Sequence, residues 1–73
     1  MTEPRFLSIS DVAQELAVGE PAVRSLIRSG ALPAIQIGGR GLWRIERTRL
    51  EEWIKARYEE SLVEAREIED SAP

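Results

Sequence analysis

Apolar residues recur along this chain in two rhythms, and the change from one to the other sets the expected elements. Val12, Ala13 and Leu16 have i, i+1, i+4 spacing, Val23, Leu26 and Ile27 have i, i+3, i+4 spacing, and Leu50, Trp53, Ile54, Tyr58, Leu62 and Ala65 keep a 3-and-4 spacing. Each set marks a helix with one buried face. Between the second and third sets the period drops to two. Ile35 and Ile37 alternate with Gln36, and Trp43 and Ile45 alternate with Leu42 and Arg44, which predicts two short strands. The order is helix, helix, hairpin, long helix.

Turn and cap residues place the boundaries. Ser8-Ile9-Ser10-Asp11 has the form of a capping box, so the first helix should begin at Ile9 and end near Ala17, with Val18-Gly19 as the turn. Pro21 suits a first helical turn and Gly30 the left-handed position past a helix end, which predicts the second helix from Glu20 to Ser29. Glu20, Pro21, Arg24, Ser25 and Arg28 then face outward. Leu32-Pro33 forces an extended exit, because the residue before a proline is pushed out of the helical region. Gly38-Gly39-Arg40-Gly41 supplies the positive φ angles of a tight hairpin tip. A third helix should start between Glu46 and Thr48, with Thr48-Arg49-Leu50-Glu51 as a second capping box. Two strands alone are marginal, so the hairpin must lean on the helices.

Seventy-three residues make one domain, close to the size at which a core supplies only a few kcal/mol of net stability. The chain has no cysteine and no histidine, which removes the disulfide, the thiolate metal site, the usual zinc ligand and the usual general base. Glu51 and Glu52 are adjacent and so point about 100° apart on a helix, a poor arrangement for paired-carboxylate catalysis. The glycine-rich tip lacks the lysine and the helix start of a phosphate-binding loop. No enzyme, metal, cofactor or small-molecule ligand is expected. No stretch approaches the ~20 apolar residues of a membrane span and the start carries no apolar run, so a cytoplasmic location is the expectation.

The net charge of −3 argues against nucleic acid until it is divided. Through Arg49, seven arginines face five acidic residues, a net +2; from Leu50 onward three basic residues face eight acidic ones, a net −5. A mildly basic head carries an acidic tail, and that division changes the choice of partner.

The residues that carry structure also carry a likeness. Leu7-Ser8-Ile9-Ser10-Asp11-Val12-Ala13, Leu26-Ile27-Arg28-Ser29-Gly30, Leu32-Pro33-Ala34, Ile37-Gly38-Gly39-Arg40, Trp43-Arg44-Ile45 and Leu50-Glu51-Glu52-Trp53-Ile54 stand in unbroken register. Over Phe6 to Ile54 the chain resembles the excisionase-type branch of the winged helix-turn-helix proteins related to the mercury-resistance (MerR) regulators. The resemblance implies a mainly α fold of three helices plus a two-stranded β-hairpin wing, with a long C-terminal helix. It implies sequence-specific double-stranded DNA binding by a transcription regulator or an excisionase, a recombination directionality factor. The second helix would enter the major groove and the wing would lie on the minor groove or backbone.

DNA-contacting residues on this reading are Arg24, Ser25 and Arg28 on the second helix, Arg40 at a tip whose turn is made by Gly38, Gly39 and Gly41, and Arg44 and Arg47 flanking the wing. Trp43 and Trp53 are expected in the core. The chain departs from the family where a serine usually caps the second helix (Gly19), where a threonine and an arginine often touch DNA (Ala22 and Ser25), and where a wing residue is commonly basic (Leu42). Glu20 adds a negative charge near the phosphates. The expected division is a flexible start over 1–5, the winged head over 6–56, and an acidic helical extension with a frayed end over 57–73. Tyr58, Leu62 and Ala65 lie beyond the reach of the head, so their stripe should find a partner helix, most simply in a second copy through an antiparallel or crossed contact. The rival reading is a protein-interaction module that no longer reads DNA and binds a partner through the acidic helix.

Overall fold

Each expected helix forms, and the sheet gains a strand. The computed structural model describes residues 4–71, and side chains over 4–66; the fraying expected of 1–3 and 72–73 lies outside the described residues. The elements run β1 (Phe6–Leu7), α1 (Ile9–Leu16), α2 (Glu20–Arg28), β2 (Ile35–Gln36), β3 (Trp43–Glu46) and α3 (Arg47–Ser71). The sheet is antiparallel in the order β1-β3-β2. Three helices with this small sheet make a mainly α, winged helix-turn-helix fold with a long C-terminal helix. No helix among the described residues is long and apolar enough to cross a membrane.

The core takes residues from almost every element: Leu7, Val12, Ala13, Val23, Leu32, Ile45 and Leu50. Full burial of one aliphatic side chain of this kind contributes roughly 1.5–3 kcal/mol, so seven small contributors suffice only because all parts of the head share them. Leu32 lies in the loop after α2 yet is fully buried. Pro33 then turns the chain outward into β2. Leu26, Ile27, Trp53 and Ile54 pack on the rim of the cluster.

Local chemistry explains most of the boundaries. α1 opens with the expected capping box: the Asp11 amide donates to Ser8 Oγ at 3.0 Å and the Ser8 amide donates to Asp11 Oδ2 at 3.1 Å. Hydrogen bonding from the Ser8 backbone, then from its side chain, holds the Asp11 carboxyl below the ordinary aspartate range, and Arg44 adds to this. α2 begins at Gly19 with no side-chain cap and ends one residue before the expected Ser29, with Gly30 at φ 83°.

The structure departs from expectation at three places. β1 was not foreseen; it pairs Phe6 with Glu46 and Leu7 with Ile45. The wing is therefore the outer hairpin of a three-stranded sheet, with a β2 of only two residues. α1 ends where expected, at Ala17, which takes the left-handed conformation (φ 57°, ψ 44°) while the Val18 amide donates to the Ala13 carbonyl. The second capping box does not form, because α3 already starts at Arg47 and Thr48 lies inside it. No cap is needed there: the Arg47 amide donates to the Arg5 carbonyl at 2.7 Å, so the β1–β3 ladder runs straight into the helix. The same bond ties down Arg5, placed by sequence in a flexible start, and the Arg5 side chain also pairs with Glu46 at 3.1 Å.

α3 is 25 residues long, or about 37 Å at 1.5 Å per residue, and the molecule extends 53 Å along its longest axis. Leu50 is buried and Trp53 and Ile54 half-buried, whereas Tyr58 and Leu62 are 71% and 64% exposed. Ala65 is exposed as well, together with Val63, which the spacing did not single out.

Candidate nucleic-acid interface

α2 exposes one edge because its buried residues occupy the other. Val23 is sealed in the core and Leu26 and Ile27 lean on it, so Arg24, Ser25 and Arg28 stand in solvent. Arg24 and Arg28 are one turn apart. The wing stands beside them: Arg24, Ile27 and Arg28 form one wall of an open cleft, Gly41 and Trp43 the other, and Ile9 its end. Trp43, expected in the core, is only half-buried and faces this cleft. Two arginines across an apolar floor from a glycine-edged wing make a surface that can take phosphates at its rim and sugar or base edges at its floor.

The wing tip is built by backbone strain placed where it is tolerated. Gly38, Gly39, Arg40 and Gly41 have φ of 73°, 79°, 59° and 71°. Leu42 closes the turn by donating to the Gly39 carbonyl at 3.3 Å, and Ile37 donates to the Leu42 carbonyl at 2.9 Å. Arg40 and Gly41 are thus the central pair of a turn with positive φ at both positions, as in type I′ hairpins. Glycine enters this region freely; an L residue there costs about 1–2 kcal/mol. Arg40 bears that cost exposed, with no hydrogen bond or ion pair among the described residues.

The six residues singled out for DNA separate into three environments. Arg24, Ser25, Arg28 and Arg40 share the α2 and wing side; Arg24 is also bound to Glu20 at 3.3 Å. Arg44 belongs to another surface, a depression on the far side of the sheet with Phe6, Pro33, Ala34, Ile35, Glu46 and Arg49. Its Nη1 donates to the Trp43 carbonyl at 2.7 Å. Alternation along β3 dictates this, since Trp43 and Arg44 must point to opposite faces.

Arg47 stands in the third environment. Its side chain is 14% exposed and its guanidinium binds Glu15 Oε1 at 2.8 Å, Glu51 at 3.5 Å and the Pro4 carbonyl at 3.3 Å. It joins α1, α3 and the chain start, a structural role. Glu51 lies one turn on along the same helix, whereas no sequence spacing points to Glu15, 32 residues away. Conversely Trp43 and Ile9, absent from the expected site, line the cleft. Gly41, two positions before Trp43 and lining the same cleft, was the available signal.

Comparison with curated proteins and with solved structures returns no match. The family model described as a helix-turn-helix domain matches residues 6–58, from β1 through the point where α3 leaves the head. That span is well over half of the 73 residues, and it contains every element that lines the cleft. The chain therefore belongs to the helix-turn-helix domain family.

Proposed function

We propose that this protein binds double-stranded DNA sequence-specifically, with α2 in the major groove and the wing on the minor groove or backbone, as a small transcription regulator or excisionase-type recombination directionality factor of the MerR-like branch. The reading assigns DNA contact to Arg24, Ser25, Arg28 and Arg40, adds Trp43 as an apolar contact, and gives Arg44 and Arg47 no direct part. The observation that carries it is Arg40: an exposed cation with no hydrogen bond or ion pair among the described residues, in a costly backbone conformation at the tip of the wing. Such outliers persist where function needs them. The role is binding without catalysis, in the cytoplasm and on the nucleoid.

Few cations reach the DNA, so one copy binds weakly. With Arg24, Arg28 and Arg40 as the phosphate-neutralising groups, the slope of log K against log salt is about −3. Useful occupancy then requires copies on adjacent sites. The decisive experiment is unbiased selection of duplex sequences by the purified chain. The expected result is enrichment of one short motif, with one or two positions lost on Arg28→Ala. Failure to enrich any sequence, together with no retention of random duplex at low salt, overturns the reading and leaves the acidic helix as the binding element.

A further inference from the structure

With α2 in the major groove and the wing on the adjacent minor groove, one strand of the duplex has to cross the cleft between them, because neighbouring grooves are separated by a single sugar-phosphate backbone. The surface that receives it is lined by Arg24, Ile27 and Arg28 on α2, by Gly41 and Trp43 on the wing, and by Ile9 at its end. Ile9, Ile27 and Trp43 are half-buried, so each turns part of an apolar side chain to the cleft. Arg24 and Arg28 are exposed beside them, a cationic rim for the phosphates on either side of a sugar.

Among the described residues, the side chains of this lining offer no hydrogen-bond acceptor: they are two guanidiniums, two isoleucines, an indole and a glycine. The wing carbonyls are already engaged. Gly41 accepts from the Trp43 amide at 2.9 Å, and Trp43 accepts from Arg44 Nη1 at 2.7 Å. The donors present, the guanidiniums and the indole N–H, go to phosphate oxygens, whose charge makes them stronger acceptors than a hydroxyl. A deoxyribose within a strand has no O–H to satisfy and loses nothing against such a floor. A ribose would bury its 2′-hydroxyl proton with no acceptor, which is costly.

We propose that the cleft seats the deoxyribose of the strand crossing between the grooves and rejects ribose there, with Ile9, Ile27 and Trp43 as the residues that set the preference. This deepens the DNA-binding reading and rests on it, assigning the apolar floor to a sugar and not to a base edge. Groove shape already keeps α2 out of an A-form RNA duplex. The floor acts where shape does not, on a single ribonucleotide within a B-form site, because the 2′-hydroxyl is the group by which the two sugars differ.

The test walks single ribonucleotides along both strands of the selected duplex and measures the affinity of the full chain for each. One or two adjacent positions of one strand per bound copy lose about tenfold, as a buried hydroxyl without its partner requires, and they neighbour the position whose preference Arg28→Ala relaxes. Other positions change by less than about twofold. A 2′-fluoro sugar, which keeps the ribose pucker but has no proton to donate, binds at the sensitive positions nearly as deoxyribose does. Ile9→Thr brings an acceptor into the floor and Trp43→Ala opens the floor to water; in each the ribose penalty falls to about twofold or less, whereas a purely structural defect lowers affinity for ribose and deoxyribose duplexes alike. Thermal melts check folding, and if one variant fails to fold the other decides. An even profile along both strands, a 2′-fluoro loss as large as the ribose loss, or a penalty that survives the substitutions overturns the proposal. So does a loss on exchanging thymine for deoxyuridine at those positions with ribose tolerated, which assigns the floor to a base edge. A chain that retains no duplex at all fails the DNA-binding reading itself, a result distinct from a chain that binds and does not sense the sugar.

Discussion

The junction of β3 with α3 and the cleft between α2 and the wing are both furnished with arginine, and they use it in opposite ways. At the junction Arg47 is withdrawn from solvent and saturated by Glu15, Glu51 and the Pro4 carbonyl. At the cleft Arg28 and Arg40 are exposed with no ion pair among the described residues, and Arg24 is tied only to Glu20. The difference lies in what surrounds each residue. A guanidinium among carboxylates from two other elements holds those elements together, whereas one on an open edge stabilises little and stays available. Residue type alone does not distinguish a brace from a contact; burial and partners do.

The largest effect should come from the brace. Arg47→Ala leaves Glu15 without its cation and loosens α1 from α3, and is expected to lower stability by about 2 kcal/mol. DNA affinity of the folded protein should change little. Urea denaturation with a parallel binding titration decides it: an unmoved midpoint with lost affinity would reverse the comparison. Arg28→Ala is the mirror image. Stability should stay within about 0.5 kcal/mol, while affinity for the selected site falls by about 1–3 kcal/mol, with relaxed preference at one position. Uniform loss across sequences would make Arg28 a phosphate contact only.

How much of this contrast the sequence could show depends on the range of the interactions. The helices were legible because a 3-and-4 apolar spacing and a capping box are local signals, and Val12, Val23 and Leu50 took the buried positions the spacing assigned. The hairpin was legible from its glycines. β1 was not: two residues cannot display a period, and their pairing partners lie 40 and 38 positions onward, at Glu46 and Ile45. The end of α1 near Ala17 was legible from the Val18-Gly19 turn, but the left-handed conformation of Ala17 was not, since alanine does not prefer it. The brace made by Arg47 was hidden for a similar reason. Its principal partner sits on α1, and no spacing rule joins residues 15 and 47.

Arg24 is the intermediate case, half claimed by Glu20 across one helical turn. An exposed i, i+4 pair of this kind stabilises a helix by only about 0.3–0.5 kcal/mol. Glu20→Gln should therefore cost little in folding, though it also removes an acid from the first turn, where it complements the helix dipole. It frees Arg24 and takes a negative charge away from the phosphates. Affinity should rise a few-fold and the salt dependence should steepen. A fall in affinity would mean that Glu20 itself accepts a hydrogen bond from a base.

The smallest effects compare the two non-glycine residues at positive φ, Ala17 at 57° and Arg40 at 59°. The backbone cost is similar, and in both cases glycine relieves it, less the extra freedom glycine gains in the unfolded chain. Ala17→Gly and Arg40→Gly should each raise stability by about 0.5 kcal/mol, seen as a higher melting temperature. They should part on DNA. Ala17 is at the end of α1 and does not line the cleft, so its glycine variant should bind as the parent does. Arg40→Gly should lose affinity to every sequence by a similar factor and reduce the salt slope by about one. If both variants gain stability and both bind normally, the strain at Arg40 serves only to shape the turn, and the wing drops out of the interface. If Arg40→Gly loses stability as well as affinity, the guanidinium has a folding role, and the contrast between a brace at Arg47 and a free contact at the wing fails at that residue.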